Sequence, residues 1–223
     1  IAHGLVGSEM CIRDRYTNNS PDELDFLWLH LDQNAFKNDS KGNAIIPLRG
    51  SRSGTKGQKL DGGFKISAVQ VISGKGRDRT IVDAEYEVYG TRMKVNLPQK
   101  LKPNGDEVSL KIDFTFLSPN YGSDRMGIVE TQNGKIYSIA QFHPRMCVYD
   151  DLNGWNTLPY IGQGEFYLEY GDFNISITVP SNQIVLCSGE LINPLETYTL
   201  DQLDRCAQAE GRDEAVMIIT PEE

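Results

Sequence analysis

The chain has 223 residues, and its 31 acidic and 22 basic side chains give a formal net charge of −9. This balance argues against a nucleic-acid-binding protein, because phosphate backbones are bound by basic surfaces. No apolar run reaches the roughly 18 to 20 residues of a membrane-spanning helix, so we expect no membrane span. The length suffices for one large β domain or two small ones.

The first 15 residues look foreign to the rest of the chain. Residues 5–15 read LVGSEMCIRDR, and this run resembles a translated sequencing adapter of the transposase-end type, which in one frame matches residues 5–14 without a mismatch and then allows Arg15. Such leaders are set aside before a fold is predicted. We therefore interpret residues 1–15 as an artefactual leader and residues 16–223 as a domain truncated at its start. Deleting the leader is expected to leave folding unchanged or to improve it.

Setting the leader aside removes Cys11 and leaves Cys147, Cys187 and Cys206. These three have no C-x-x-C spacing, so neither a zinc ribbon nor a dense disulfide scaffold is indicated. Two alternatives stay open: one disulfide with a free thiol, or isolated buried cysteines that act as small hydrophobic side chains.

Residues 38–63 are rich in Gly, Ser, Asn and Lys, and we expect them to form a long exposed excursion. Within this stretch, residues 50–57 read GSRSGTKG, which lacks the G-x-x-x-x-G-K-[ST] order of a phosphate-binding loop. A flexible basic loop is the favoured interpretation.

Apolar and polar residues alternate with period two through the middle of the chain, which is typical of strands with one buried face. The alternation is clearest at residues 82–88, 93–97 and 108–116, where we predict antiparallel strands. Asn-Gly pairs at residues 104–105 and 133–134 favour tight connections between neighbouring strands.

Another strand pair and one helix are predicted towards the C-terminus. Residues 166–170 and 173–179 are predicted as strands, the second ended by Pro180. Thr199 and Gln202 have the spacing of a capping box, and Gly211 would stop the helix that follows. A last short strand is predicted at residues 216–219. These elements predict an all-β fold of mostly antiparallel strands with one short helix near the C-terminus.

Few side chains suggest catalysis. His30 is predicted as a strand residue that faces solvent, and His143 with Cys147 forms a weak candidate for a Cys-His nucleophile pair. Asp150 and Asp151 are interpreted as turn residues rather than an acid-base pair, because adjacent side chains on an extended backbone point apart. Residues 16–223 contain no H-E-x-x-H zinc motif.

Several segments together are similar to one known domain. The similarity is carried by residues 16–34 (YTNNSPDELDFLWLHLDQN), 97–103 with 108–116, 140–151 (AQFHPRMCVYDD), 173–180 (FNISITVP) and 188–191 (SGEL). They resemble the N-terminal β domain of the zinc aminopeptidase family that includes aminopeptidase N, a family of gluzincin metallopeptidases, and particularly its large exported bacterial members of the Bacteroidetes type. The resemblance implies a saddle-like β sandwich that docks against a later catalytic domain.

The resemblance also implies a function for the parent protein. The parent would hydrolyse an N-terminal peptide bond with zinc-activated water, at the cell surface or in the periplasm. The fragment itself would hold no catalytic residue, metal or cofactor, and would be inactive alone. Its implied partners are its own missing catalytic domain and the parent's peptide substrate. An exposed apolar patch is expected where the catalytic domain docks.

Gln141 is the one site residue that the resemblance assigns, through its place in Gln-Phe-x-Pro. In the family this glutamine helps to hold the substrate's N-terminal residue, and the alternative is a structural amide at a strand end. The neighbouring acidic turn departs from the Pro-Cys-x-Asp-Glu-Pro pattern of many relatives. The alternative function is an exported β-sandwich binding or scaffold module without a catalytic partner. Trp28, Tyr121, Trp155 and Tyr160 are compatible with stacking on sugars or peptides in such a module, but packing in the core or at an interface is the favoured interpretation of these residues.

Overall fold

The computed structural model describes residues 10–41, 62–74, 78–118, 126–132, 134–161, 166–220 and 222–223. It divides into two compact units, Ile1–Tyr170 and Gly171–Glu223. In the first unit lie β1 (Met10–Asn18), β2 (Leu24–His30), a 3-10 helix (Asp32–Phe36), β3 (Lys65–Ser73), β4 (Thr80–Asp83), β5 (Tyr86–Tyr89), β6 (Arg92–Leu101), β7 (Asp106–Thr115), β8 (Gly127–Thr131), β9 (Gly134–Ser138), β10 (Arg145–Met146), β11 (Tyr149–Asp150) and β12 (Gly154–Trp155). In the second lie α1 (Pro194–Thr197) and α2 (Leu200–Ala209).

Two four-stranded antiparallel sheets share one core in the first unit. Their strand orders are β1-β7-β3-β4 and β10-β2-β6-β5. Leu110 and Ile112 of the first sheet and Leu27, Met93 and Val95 of the second are fully buried in a single apolar cluster. Two sheets that bury their inner faces against each other make a β sandwich, and apolar burial is its main stabilising term. The predicted fold class is confirmed.

The alternating run at residues 82–88 changes sheets instead of forming one strand. β4 pairs with β3 in the first sheet, and β5 pairs with β6 in the second. At the crossing, the Ala84 N–H donates to the Val69 carbonyl at 2.9 Å, and the Glu85 carbonyl accepts from the Asn96 N–H at 2.9 Å. Period two predicts extended backbone but does not assign it to a sheet, so the prediction of a single strand is wrong.

The Asn104-Gly105 turn forms as predicted, but the strands it joins lie in different sheets. Asn104 and Gly105 have φ of 61° and 107°, a backbone conformation that Asn and Gly adopt more readily than other residues. The Gly105 N–H donates to the Asn18 carbonyl at 2.8 Å, which ties the turn to the end of β1. β6 and β7 therefore lie in different sheets of the sandwich and do not pair as a hairpin.

Two short hairpins complete the first unit. β8 pairs with β9, and Gly134 at the turn has a φ of 123°, while residue 133 lies outside the described residues. β11 pairs with β12 around Asp150, whose Oδ1 accepts from the backbone N–H groups of Leu152 and Asn153. Asp150 thus serves the turn, as predicted for the acidic pair.

β1 is an edge strand that begins inside the interpreted leader. Its register runs from Met10 opposite Phe114 to Asn18 opposite Asp106, so residues 10–15 cover one edge of β7. The strand alternates between more and less exposed residues, and Asp14 takes one of the less exposed positions, opposite Leu110. A carboxyl is a poor choice for such a position. The origin of these residues from an adapter stays a prediction.

The second unit contains none of the strands predicted for it. Residues 173–179 and 216–219 have no strand pairing, and neither do residues 166–170 at the end of the first unit. The apolar members of the alternating run are exposed, with Phe173 at 69% and Ile177 at 50%. Alternation favours extended backbone, but a strand also needs a partner for its backbone groups, so these predictions are wrong for this structure.

The helix near the C-terminus is confirmed together with its cap. The Thr199 side chain accepts from the Gln202 N–H, and the Gln202 side chain accepts from the Thr199 N–H, which makes a complete capping box. α2 ends at Ala209, and Gly211 follows with a φ of 75°. Arg205 on α2 pairs with Glu223 at 2.6 Å. The excursion predicted over residues 38–63 lies mostly outside the described residues, and residues 50–57 lie wholly outside them.

Candidate functional site

Gln141, the predicted substrate-contacting residue, lies between β9 and β10 with its backbone in the left-handed region. Its φ is 53°, and Asn104 is the other non-glycine residue with positive φ in the described part of the chain. Asn tolerates this conformation better than Gln does. Non-glycine residues held in this conformation are concentrated at functional sites. The backbone at Gln141 is therefore unusual for its residue type.

Gln33 binds the backbone carbonyl groups of two consecutive residues, Ala140 and Gln141. Its Nε2 donates to the Gln141 carbonyl at 3.1 Å and to the Ala140 carbonyl at 3.3 Å. Gln33 lies in the 3-10 helix that follows β2, and only 1% of it is exposed. These bonds satisfy two carbonyl groups that lie outside any sheet ladder.

The 3-10 helix is itself held in place by Asn34. The Asn34 Nδ2 donates to the Gly90 carbonyl at 2.7 Å, and its Oδ1 accepts from the Phe64 N–H at 2.9 Å. Asn34 is 2% exposed, so one buried amide joins the helix to the β5–β6 turn and to the start of β3. Gln33 therefore lies in a 3-10 helix that is bonded to two other segments of the fold.

A buried ion pair forms a second connection to the same segment. Arg145 on β10 pairs with Asp32, the residue beside Gln33, and the Asp32 side chain is 1% exposed. Burial raises the pKa of Asp32, and the nearby Arg145 charge opposes that shift. A buried carboxylate of this kind is costly unless it keeps its partner. The 140–145 segment is thus bound near both ends by two consecutive residues.

His30 takes part in this polar region and does not face solvent as predicted. It is 8% exposed and lies opposite Arg145 in the pairing of β2 with β10. Burial lowers the pKa of His30, which favours a neutral imidazole. The prediction failed because β2 has the short strand β10 on its outer side, a long-range pairing that alternation does not reveal.

Cys147 is a buried structural thiol. It is fully buried, and burial raises its pKa to about 12. A nucleophilic cysteine needs a lowered pKa and solvent access, so the Cys-His interpretation of Cys147 with His143 is wrong. All four cysteines are free thiols in this structure, and Cys147 is the buried one among them.

Four buried polar atoms in this region lack hydrogen-bond partners among the described residues. They are Nε2 of Gln141, Oε1 of Gln33, Oδ1 of Asp32 and Nε of Arg145. Buried polar atoms are normally satisfied, and exceptions point to a water molecule or a ligand. Gln141 itself is partly exposed. The segment therefore combines a firmly held backbone with side-chain polar groups that the described fold does not use.

The aromatic residues proposed as ligand platforms mainly pack within the fold. Trp155 lies 5.8 Å from Tyr16 and 5.1 Å from Tyr149 between ring centroids, at the border of the core. Trp28 packs against Tyr89 at 5.7 Å and Tyr160 against Phe166 at 5.0 Å. Tyr121 lies outside the described residues.

No group of three or more His, Cys, Asp or Glu side chains placed to hold a metal ion occurs in the described part of the chain. Of the helices described, none has the length and apolar character needed to cross a membrane.

No protein-family model matches the sequence, and no curated protein is similar to it. The resemblance to the aminopeptidase domain therefore stays a prediction.

Asp32, Gln33 and Asn34 are the residues of this site that sequence analysis did not single out. A signal for them was present, because three polar residues directly follow the apolar strand at residues 26–31. Their burial could not be read from the sequence, since it depends on the distant segments at Gly90, Phe64 and residues 140–145.

Proposed function

We propose that this chain is the non-catalytic N-terminal domain of a zinc-dependent aminopeptidase, and that Gln141 lies in the pocket for the substrate's N-terminal residue. The observation that carries the proposal is the backbone conformation and hydrogen bonding of Gln141. Its backbone has positive φ and is bound by Gln33, while its Nε2 has no partner among the described residues. A structural amide at a strand end would be expected to spend its hydrogen bonds within the fold.

The amide chemistry of Gln141 suits a peptide N-terminus. Its oxygen can accept a hydrogen bond from an ammonium group, while its carbon stem packs against the first side chain of the substrate. The zinc ion and the general base belong, in this proposal, to the later domain of the parent.

Exposed apolar side chains support a docking role for the second unit. Between residues 171 and 200 they include Leu186 at 83%, Leu195 at 82% and Ile192 at 78%. A contiguous patch of exposed apolar surface is typical of an interaction site, and the proposal expects these side chains to contribute to one. The proposal assigns the missing catalytic domain as the partner that covers them.

The proposal is tested by Gln141→Ala in the full-length parent enzyme. Loss of a hydrogen bond to a charged ammonium group is expected to raise KM roughly ten- to a hundredfold with a smaller change in kcat. Gln70→Ala is the matched control, because among the described residues the Gln70 amide bonds only to exposed Asp83, at 2.9 Å, in the sheet that contains β3 and β4. An unchanged KM in Gln141→Ala would contradict the assignment of Gln141.

A further inference from the structure

The conformation of Gln141 needs a structural cause. A φ of 53° is intrinsically unfavourable for a glutamine. Such a conformation persists only where the surrounding structure stabilises it. The bonds that Gln141 makes to the rest of the described fold are therefore the place to look for that cause.

Gln33 supplies those bonds. One side-chain nitrogen donates to both the Ala140 and the Gln141 carbonyl groups, and so fixes the orientation of two consecutive peptide units. Each peptide unit is planar. When the Ala140 and Gln141 carbonyl groups both accept from one nitrogen, the φ and ψ angles of Gln141 are therefore restricted. Because Gln33 is 1% exposed, solvent cannot easily replace it as the donor.

The neighbouring contacts make this donor stationary. Asn34 anchors the 3-10 helix through two buried hydrogen bonds, and Asp32 binds Arg145 at the far end of the segment. Arg145 leaves a gap of three residues after Gln141, so the segment has little freedom between the two connections. The segment is thus connected to the 3-10 helix at two places, through Gln33 and through Asp32.

We propose that Gln33 is the positioning residue for Gln141: it holds the backbone in the left-handed conformation that presents the Gln141 amide to the substrate's N-terminal residue. This inference rests on the proposed function for its substrate, and on the structure alone for its backbone effect. Gln33 binds the Gln141 carbonyl and is 1% exposed, so in this proposal it acts through Gln141.

The backbone effect is tested by NMR on this chain. In the wild type, the Gln33 side-chain amide protons are expected to exchange slowly with solvent and to show NOEs to residues 140 and 141. Gln141 is expected to show the strong intraresidue NOE between HN and Hα that marks positive φ. Gln33→Met, which keeps length and volume but removes the donor, is expected to lose that intraresidue NOE. Gln70→Met is the matched control and should retain it.

The functional effect is tested by the kinetics of the full-length parent. Gln33→Met is expected to raise KM roughly two- to tenfold, because the Gln141 amide would adopt a wider range of conformations and would less often be placed to bind the substrate. A residue that served folding alone would lower the active fraction, and hence the apparent kcat, without moving KM.

The outcomes separate the two proposals. If Gln141→Ala raises KM and Gln33→Met does not, the positioning inference is overturned and the proposed function stands. If Gln141→Ala leaves KM unchanged, the proposed function is contradicted, and the NMR arm alone decides whether Gln33 holds the backbone. If Gln33→Met does not fold, the wild-type measurement decides: fast exchange of the Gln33 amide, or no NOE to residues 140 and 141, overturns the inference.

Discussion

At the scale of single residues, Asp14 conflicts with its surroundings. It takes an inward position on β1, and burial raises the pKa of its carboxyl above the usual 3.8. A folded state that holds a proton more tightly than the unfolded state loses stability as pH rises from the unfolded pKa through the folded one. Ionised Asp14 therefore destabilises the fold at neutral pH.

We expect Asp14→Val to raise the free energy of unfolding by about 1 kcal/mol at neutral pH, because it replaces a partly buried charge with an apolar side chain. The gain should shrink as pH falls through the raised pKa of the folded state, and it should be smallest below pH 3.8, where the wild-type carboxyl is protonated in both states. Urea unfolding at several pH values measures both effects. Arg13→Val, on the exposed face of the same strand, is the control, and a gain as large as that of Asp14→Val would contradict the account.

Cysteine reactivity gives a second prediction at this scale. Cys11 and Cys187 are exposed, whereas Cys147 is buried with a pKa of about 12. A thiol-specific chromogenic reagent should therefore label Cys11 and Cys187 in the native chain and reach Cys147 only on unfolding. Mass spectrometry of labelled peptides identifies the sites. Rapid native labelling of Cys147 would show that the thiol is accessible.

The residues of the candidate site show what sequence can and cannot reveal. Gln141 was found through a resemblance and not through a physical pattern. The burial of His30 and the contacts of Gln33 depend on segments more than a hundred residues away along the chain. Such pairings follow from tertiary packing, and one sequence carries no direct signal for them.

At the scale of elements, β1 alters one expectation. The sequence predicts that deleting residues 1–15 leaves folding unchanged or improves it. In the structure, residues 10–15 pair with β7, and Met10 and Ile12 pack against the core. Their removal would expose an edge of the first sheet and some of its apolar surface.

Deletion of residues 1–15 is therefore expected to lower Tm, whereas deletion of residues 1–9 leaves every described residue in place and serves as the control. Differential scanning calorimetry of the two truncated chains compares them directly. Equal Tm values would show that the paired residues 10–15 contribute nothing to stability, as the adapter interpretation alone would predict.

α2 shows the opposite case, an element that sequence predicts well. Its capping box and the glycine beyond its end are local signals, and both appear as predicted. Thr199→Ala is expected to destabilise the helix by about 1 kcal/mol, because the Gln202 N–H loses its acceptor. Chemical shifts of residues 200–209 report the helix content. Thr199→Asn, which can still cap, should retain the helix, and equal losses in both variants would contradict the capping role.

The strands fall between these cases. Alternation located the middle strands, because period two reports one buried face. It did not show that residues 82–88 cross between sheets, or that β6 and β7 lie in different sheets. It also predicted strands at residues 166–170 and 173–179, and these have no partner in the described structure. Periodicity indicates extended backbone, whereas pairing is decided by long-range contacts.

At the scale of the whole molecule, the two units differ in how they treat apolar side chains. The first unit buries its alternating residues between two sheets, and the second leaves many of them exposed. In the proposed function, another domain would cover these exposed side chains and complete the site at Gln141.

The most direct test of this account is the coding sequence downstream of residue 223 in the source genome. The account predicts an open reading frame that continues into a domain with both G-x-M-E-N and H-E-x-x-H. A reading frame that continues for several hundred codons without either motif would contradict the aminopeptidase assignment.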